Sequence, residues 1–439
     1  MREEKPVENY VSADFLLYLQ RVQKSTSMTA IVAVLNKHAV AVAADSAVTM
    51  GNTHKVVNSA NKIFTLSKYH PVAVMTYNSA TFMGTPWDII IKEYRKQLKD
   101  TCFPTVKEYV DDFITYLHNR NFFCDEKTQK LCMVSILDSF FELCRNEIIR
   151  QECVECPTEE NIVQKLNECL LNNKTADKCV EFASYTYDDF KNYANVEIDN
   201  YAQRKGFSNV EVLCESFFYY LIAKFSKPFY TGLVFVGYGE SEIYPSLYPL
   251  NITLGIDNHL KYYIDENNVS QINEHGPEAV IVPFAQVDVT QTIIRGINPS
   301  FQDIIYNVID KSIKSYSCAI TNILDGNPAT SAVSIAVKGL DKDAIIDDIT
   351  TQIKREMYSL YSKPLIDTVV LLDKEDMANM AESFISLTSL VRRMQPGEET
   401  VGGPVDVAVI SKGDGFVWIN RKHYFKPELN ASFFSNYFN

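Results

Sequence analysis

Hydrophobic and polar positions divide the chain into stretches of different rhythm. Ala30-Ile-Val-Ala-Val34 and Ala39-Val-Ala-Val-Ala43 are short continuous apolar runs joined by the polar turn Asn36-Lys37-His38. Runs of this length bounded by a turn predict two adjacent buried strands in a hairpin. Lys62-Ile-Phe-Thr-Leu66 and Val72-Ala-Val-Met-Thr76 predict two more strands. A helix is expected over 81–98, with Ile89, Ile90, Tyr94 and Leu98 on one stripe and Pro86 near its start. From 104 to about 227 the rhythm turns helical, as in Ile162, Leu166, Cys169 and Leu170. Strands resume at Thr231–Gly237 and over 243–254, followed by helical segments around 287–316. The 343–360 helix places Ile345, Ile349, Ile353 and Met357 four apart, and the 376–393 helix aligns Met377, Met380, Phe384, Leu387 and Val391. Pro404–Ile410 and Gly415–Ile419 flank Lys412-Gly-Asp-Gly415, a hairpin signal.

Strands, then helices, then strands again predict a layered α+β domain in which helices cover sheets. Residues 29–103 and 228–439 form the two parts of that domain, 104–227 a helical insertion into it, and 1–28 a leader or propeptide.

Composition narrows the partners. The 439 residues carry a formal net charge of −13, which argues against a nucleic-acid or anionic-membrane partner. Phe15-Leu-Leu-Tyr-Leu19 is too short for a signal sequence and no apolar stretch is long enough to span a bilayer, so a cytoplasmic location is expected. Of the 10 cysteines, Cys153-Val-Glu-Cys156 has the spacing of half a zinc site. The second half is missing, and Cys132, Cys144, Cys169 and Cys179 lie among helix-periodic apolar residues, where a thiol acts as a small hydrophobe. No metal is therefore expected. A metal-dependent hydrolase built on the Cys-rich insertion is the minor alternative. Neither a Walker loop nor GxGxxG is present, so no cofactor is expected.

The chemistry concentrates in Thr29-Ala-Ile-Val-Ala-Val34, Ala43-Ala-Asp45-Ser-Ala-Val-Thr49-Met-Gly51-Asn52-Thr53 and Asn61-Lys62. These segments resemble the N-terminal part of proteasome β subunits and their bacterial relatives of the HslV type, within the N-terminal nucleophile (Ntn) hydrolases. The similarity resumes in Val234-Phe-Val-Gly-Tyr-Gly-Glu240 with Tyr244-Pro-Ser-Leu-Tyr248, and in Glu398-Glu-Thr-Val-Gly402-Gly403. About a third of the chain is covered, and 104–227 matches nothing known. The resemblance implies a four-layer αββα sandwich and a threonine-type hydrolase of peptide or other amide bonds. It further implies a homo-oligomer, with an unfolding ATPase as a partner.

By the same resemblance Thr29 is nucleophile and base, Lys62 its charged neighbour and Asp45 the partner of Lys62. Tyr77 and Thr49 fall at the oxyanion and pocket positions, Glu398 and Gly402 at supporting ones. The chemistry stands on its own terms. A threonine hydroxyl is a weak nucleophile until a base takes its proton. An α-amine, with a reference pKa of about 7.7–8.0, serves near neutral pH where an ordinary lysine does not. A buried cation beside the hydroxyl favours its ionised form.

That amine exists only if Thr29 is the first residue. Met28 precedes it, so Met28 is expected to be the true start, with autolytic removal of 1–28 as the alternative and an uncleaved, inactive subunit as the third reading. Three stretches depart from the family. A Met-Ala-Gly-like run is Met75-Thr76-Tyr77-Asn78-Ser79, a Gly-Ser-Gly segment is replaced by Pro283-Phe284-Ala285-Gln286, and Asp-x-x-Ser-Gly-Gly becomes Glu398-Glu-Thr-Val401-Gly402-Gly403. A catalytically inactive scaffold that binds partners is the competing expectation.

Overall fold

A computed structural model describes residues 29–50, 55–57, 60–67, 69–119, 122, 125–152, 156–224, 230–325, 330–395, 401–423 and 425–432. The 1–28 leader, Cys153 and Glu398 lie outside the described residues. The described residues open with β1 (Ala30–Asn36), β2 (Val40–Ala44), β3 (Val48–Met50), β4 (Lys55–Val57), β5 (Ile63–Thr65) and β6 (Val72–Asn78). A two-strand hairpin, β7 (Thr81–Phe82) and β8 (Thr85–Pro86), leads into α1 (Trp87–Leu98). Helices α2 (Val106–Asn119), α3 (Glu126–Glu152), α4 (Glu159–Lys174), α5 (Tyr187–Lys205) and α6 (Val210–Ile222) come next. Then follow β9 (Thr231–Gly237), β10 (Ser246–Ile256), β11 (His259–Ile264), β12 (Ser270–Gln271) and β13 (Ala279–Ala285). The last part holds α7 (Asp288–Arg295), α8 (Pro299–Asp325), α9 (Ser331–Lys338), α10 (Lys342–Met357), α11 (Lys363–Leu371), α12 (Lys374–Met394), β14 (Asp406–Ser411) and β15 (Gly415–Asn420).

Two antiparallel sheets organise these elements, in the orders β13-β1-β2-β14-β15 and β11-β10-β9-β6-β5. The continuous apolar runs of β1 and β2 follow from burial on both faces. Ile31, Ala33, Leu35, Val40 and Val42 pack with Met75, Tyr77, Val234 and Val236 of the other sheet. The alternate residues Ala30, Val32, Val34 and Ala41 pack under Val369 and the α12 residues Met377, Ala378, Ala381, Phe384 and Ile385. The outer face of the second sheet, through Val72, Val74, Leu233, Phe235 and Leu250, is covered by apolar residues of α1 to α6. Helices, sheet, sheet and helices therefore stack in that order, an α+β arrangement.

The β1–β2 turn is fixed by Asn36. Its side-chain oxygen accepts from His38 N (2.8 Å) and Ala39 N (3.1 Å), while its amide donates to Val369 O (2.9 Å) and Leu372 O (3.0 Å). The hairpin end is thus tied to α11, and every polar atom of this buried side chain works.

Several expectations shift. Residues 81–86 are the β7–β8 hairpin rather than the start of the helix, and α1 buries Ile90, Ile91, Tyr94 and Leu98 while Ile89 is 51% exposed. On α12 the buried face runs through Met377, Ala378, Ala381, Phe384 and Ile385, leaving Leu387 exposed. The α10 stripe is real in sequence, yet that helix buries no residue, and Ile345 and Ile349 face solvent. Strand β13 falls where no strand was expected, and it contains Pro283. It is an edge strand, where proline is tolerated.

Candidate active site

The antiparallel register of β1 and β2, with Ile31 opposite Ala44, brings the residue after β2 beside the residue before β1. Those residues are Asp45 and Thr29. Asp45 N donates to Ala30 O (3.1 Å), and Asp45 Oδ1 accepts from Ala30 N (2.9 Å), which clamps the first peptide unit after Thr29. Thr29 itself is 3% exposed, and its carbonyl accepts from Gln286 N (3.1 Å) just past β13.

Lys62 arrives from the other sheet. It stands immediately before β5, its carbonyl accepting from Thr76 N on β6 (2.8 Å). Its Nζ donates to Asp45 Oδ1 (2.6 Å) and to Ala47 O (2.6 Å). Both side chains are almost fully buried, 4% exposed for Lys62 and 1% for Asp45. The second carboxylate oxygen accepts from Ala47 N (3.0 Å) and Gly402 N (3.3 Å). Asp45 is thus an acceptor for three backbone amides and one ammonium, a full set for a buried carboxylate.

Burial pushes the Lys62 ammonium below its ordinary 10.5, and the Asp45 charge opposes that shift. Lys422 lowers it further and Asp406 raises it. Those two form a second ion pair that reading the sequence did not single out. Lys422 donates to Asp406 through both N (2.9 Å) and Nζ, and Asp406 is 2% exposed. A signal was present, since Asp406 interrupts the apolar run Val405–Ile410, where a charge demands a partner.

Gly402 acts through its backbone. Its N–H meets Asp45, its carbonyl accepts from Ser46 N (3.1 Å), and a Cβ added there would meet nothing within 4 Å. Val401, which stands where the resemblance expects a hydroxyl, is fully buried under α12 in the sheet–helix core. Thr49 lies on β3 opposite Val56, with its side chain outside the description.

Tyr77 belongs to the second sheet. It lies on β6 opposite Gly232 of β9. Thr76 N–H is turned toward Lys62, so strand alternation turns the Tyr77 N–H the other way, toward β9. Its side chain fills the space between the sheets, with the ring 5.5 Å from Phe284 and edge-on to Tyr230 at 6.1 Å. Its hydroxyl donates to Asn251 (3.2 Å), and burial raises its pKa well above the ordinary value. Gly232 makes room, since a Cβ there would lie 2.0 Å from the Tyr77 ring.

A network behind Thr29 was also unforeseen. Gln286, which donates to Thr29 O, accepts from Arg392 Nε of α12, and the same guanidinium donates to Asp288. Among the described residues no three His, Cys, Asp or Glu side chains converge as metal ligands, and no helix is long and apolar enough to cross a membrane.

Comparison with known proteins finds no matching family model and no similar curated protein. Among solved structures the chain is similar to the Anbu (Gly-1) mutant from Hyphomicrobium sp. strain MC1. The identity is 9%, covering 93% of this chain and 94% of that one, with a TM-score of 0.25. A likeness that weak carries no conclusion about site or activity.

Proposed function

We propose that the chain is an N-terminal nucleophile hydrolase of the threonine type, built on an αββα sandwich and cleaving peptide or other amide bonds. One observation carries the reading: a single buried oxygen, Asp45 Oδ1, accepts from both Ala30 N and Lys62 Nζ, and so places a lysine ammonium beside the first peptide unit after Thr29.

With Thr29 as first residue, its amine removes the hydroxyl proton as Oγ1 attacks the substrate carbonyl carbon. The Lys62 ammonium stabilises the oxygen as it gains charge. The C–N bond then breaks, the departing amine takes the proton held by the Thr29 amine, and an ester on Oγ1 remains. Water activated by the same amine hydrolyses that ester and regenerates Thr29. Asp45 orients Lys62 and opposes the loss of its charge. Assembly into a homo-oligomer is part of the proposal. It is supported by the exposed apolar residues Phe301, Val308, Tyr316 and Ile323 on α8 and Ile345 and Ile349 on α10.

The second reading, a non-catalytic scaffold, is favoured by one feature: the Tyr77 ring occupies inter-sheet space beside Phe284 near the head of β1.

Intact mass and N-terminal sequencing of the full chain, alongside Thr29→Ala, separate the two. A mature chain beginning Thr29-Ala-Ile-Val that cleaves fluorogenic peptides or amides, with activity abolished in Thr29→Ala, supports the hydrolase. Retention of Met28 on every molecule, or equal turnover by Thr29→Ala, overturns it.

A further inference from the structure

We infer that a cleft beside the two outermost strands β5 and β15 is a binding site for a small organic anion, a phosphate or similar group on a flat apolar body. The inference does not depend on the hydrolase reading. The cleft has a volume of about 840 Å³ and lies between the edge strand of each sheet and helix α1. That volume falls within the range of small-ligand clefts, roughly 300–1,000 Å³.

Its charge runs against that of the molecule. Lys92, Arg95, Lys96 and Lys99 line it from the α1 side and Arg421 from the β15 side, with Asp100 the one acid among the lining residues. This concentration of cations occurs in a chain of net charge −13. Two of the lysines have acidic neighbours on their own helix, Lys92 with Asp88 (2.9 Å) and Lys96 with Glu93 (2.5 Å). Both pairs are solvent-exposed and weak, so they do not neutralise the cleft toward a ligand. Lys99 has no ion pair among the described residues.

Basic residues at a helix C-terminus serve the helix dipole without any ligand. The remaining lining does not follow from that cause. Phe64, Tyr69 and Trp418 supply an apolar, aromatic wall, and the Arg421 guanidinium lies 4.7 Å over the Trp418 ring. The Trp418 indole N–H is buried and has no hydrogen-bond partner among the described residues. Cations for the charge and rings for a flat body together define the ligand class.

The test uses the full chain and intrinsic fluorescence, titrating with 1-naphthyl phosphate and, in parallel, with inorganic phosphate and with 1-naphthol. The chain has two tryptophans, and Trp87 is 2% exposed with its indole N–H bonded to Thr231, so Trp418 is the reporter. Saturable quenching by 1-naphthyl phosphate is expected, with each half-molecule binding at least about tenfold more weakly. The exposed pair K96E/K99E should weaken binding by about tenfold or more, and raising salt should weaken it in the parent protein. Trp418→Phe should remove the optical signal, with binding then followed by equilibrium dialysis. Absence of saturable binding overturns the site, as does equal affinity for 1-naphthol. Unchanged affinity in a K96E/K99E protein whose thermal melt matches the parent overturns it too.

Discussion

Asp45 and Lys62 belong to different sheets, and the 2.6 Å bond between them joins the two layers at the buried end of the β1–β2 hairpin. The pair is both a structural bolt and the electrostatic centre of the proposed site. Taking one charge away leaves the other buried and uncompensated, which typically costs about 3–5 kcal/mol.

Asp45→Asn and Lys62→Met are therefore each expected to destabilise the protein by about 3–5 kcal/mol. Asp45→Asn/Lys62→Met should cost less than the two single changes combined, because neither partner is left as a lone charge. Urea unfolding of the four proteins measures this. Strict additivity would mean that the two side chains do not share an interaction.

The depressed Lys62 pKa sets a sign for pH dependence. The folded state releases the Lys62 proton at lower pH than the unfolded chain does, so in the window below 10.5 the unfolded state binds more protons. The Lys62 contribution to stability thus rises with pH through that window, while the charge available to the site declines. Subtracting the pH–stability curve of Lys62→Met from that of the parent isolates the contribution. A difference that falls with pH would contradict the assignment.

The second ion pair tunes the first. Lys422 lowers the Lys62 pKa and Asp406 raises it. Lys422→Met should move the Lys62 titration upward and Asp406→Asn downward, read by NMR of labelled lysine side chains. No movement in either variant would show the pairs to be electrostatically separate.

Gly232 and Tyr77 form a steric pair. Gly232→Ala puts a Cβ 2.0 Å from the Tyr77 ring and is expected to cost about 1–3 kcal/mol through displaced packing. Combining it with Tyr77→Ala should recover part of that cost beyond additivity in thermal unfolding. If Gly232→Ala alone leaves the melting temperature unchanged, the two sheets are more loosely packed than the geometry indicates.

On α10, Ile345→Ser/Ile349→Ser removes exposed rather than buried surface, so monomer stability should change by no more than about 0.5 kcal/mol. A shift to smaller particles in light scattering is expected if this face joins copies of the chain. An identical size distribution would remove α10 from the proposed interface.

Much of this molecule was legible in one dimension. The five-residue apolar runs on either side of Asn36-Lys37-His38 announce a buried hairpin, since strands covered on both faces lack alternation. The Thr29, Asp45 and Lys62 trio was nominated by the resemblance of the segments that hold it to proteasome β subunits. What order does not encode is contact across layers. That Lys62 crosses to Asp45, that Asp406 and Lys422 sit close enough to shift it, and that Gly232 makes room for the Tyr77 ring all depend on register and sheet packing. The amphipathic stripe of α10 makes the same point in reverse: periodicity fixes which residues share a face, but only the tertiary arrangement decides whether anything covers it.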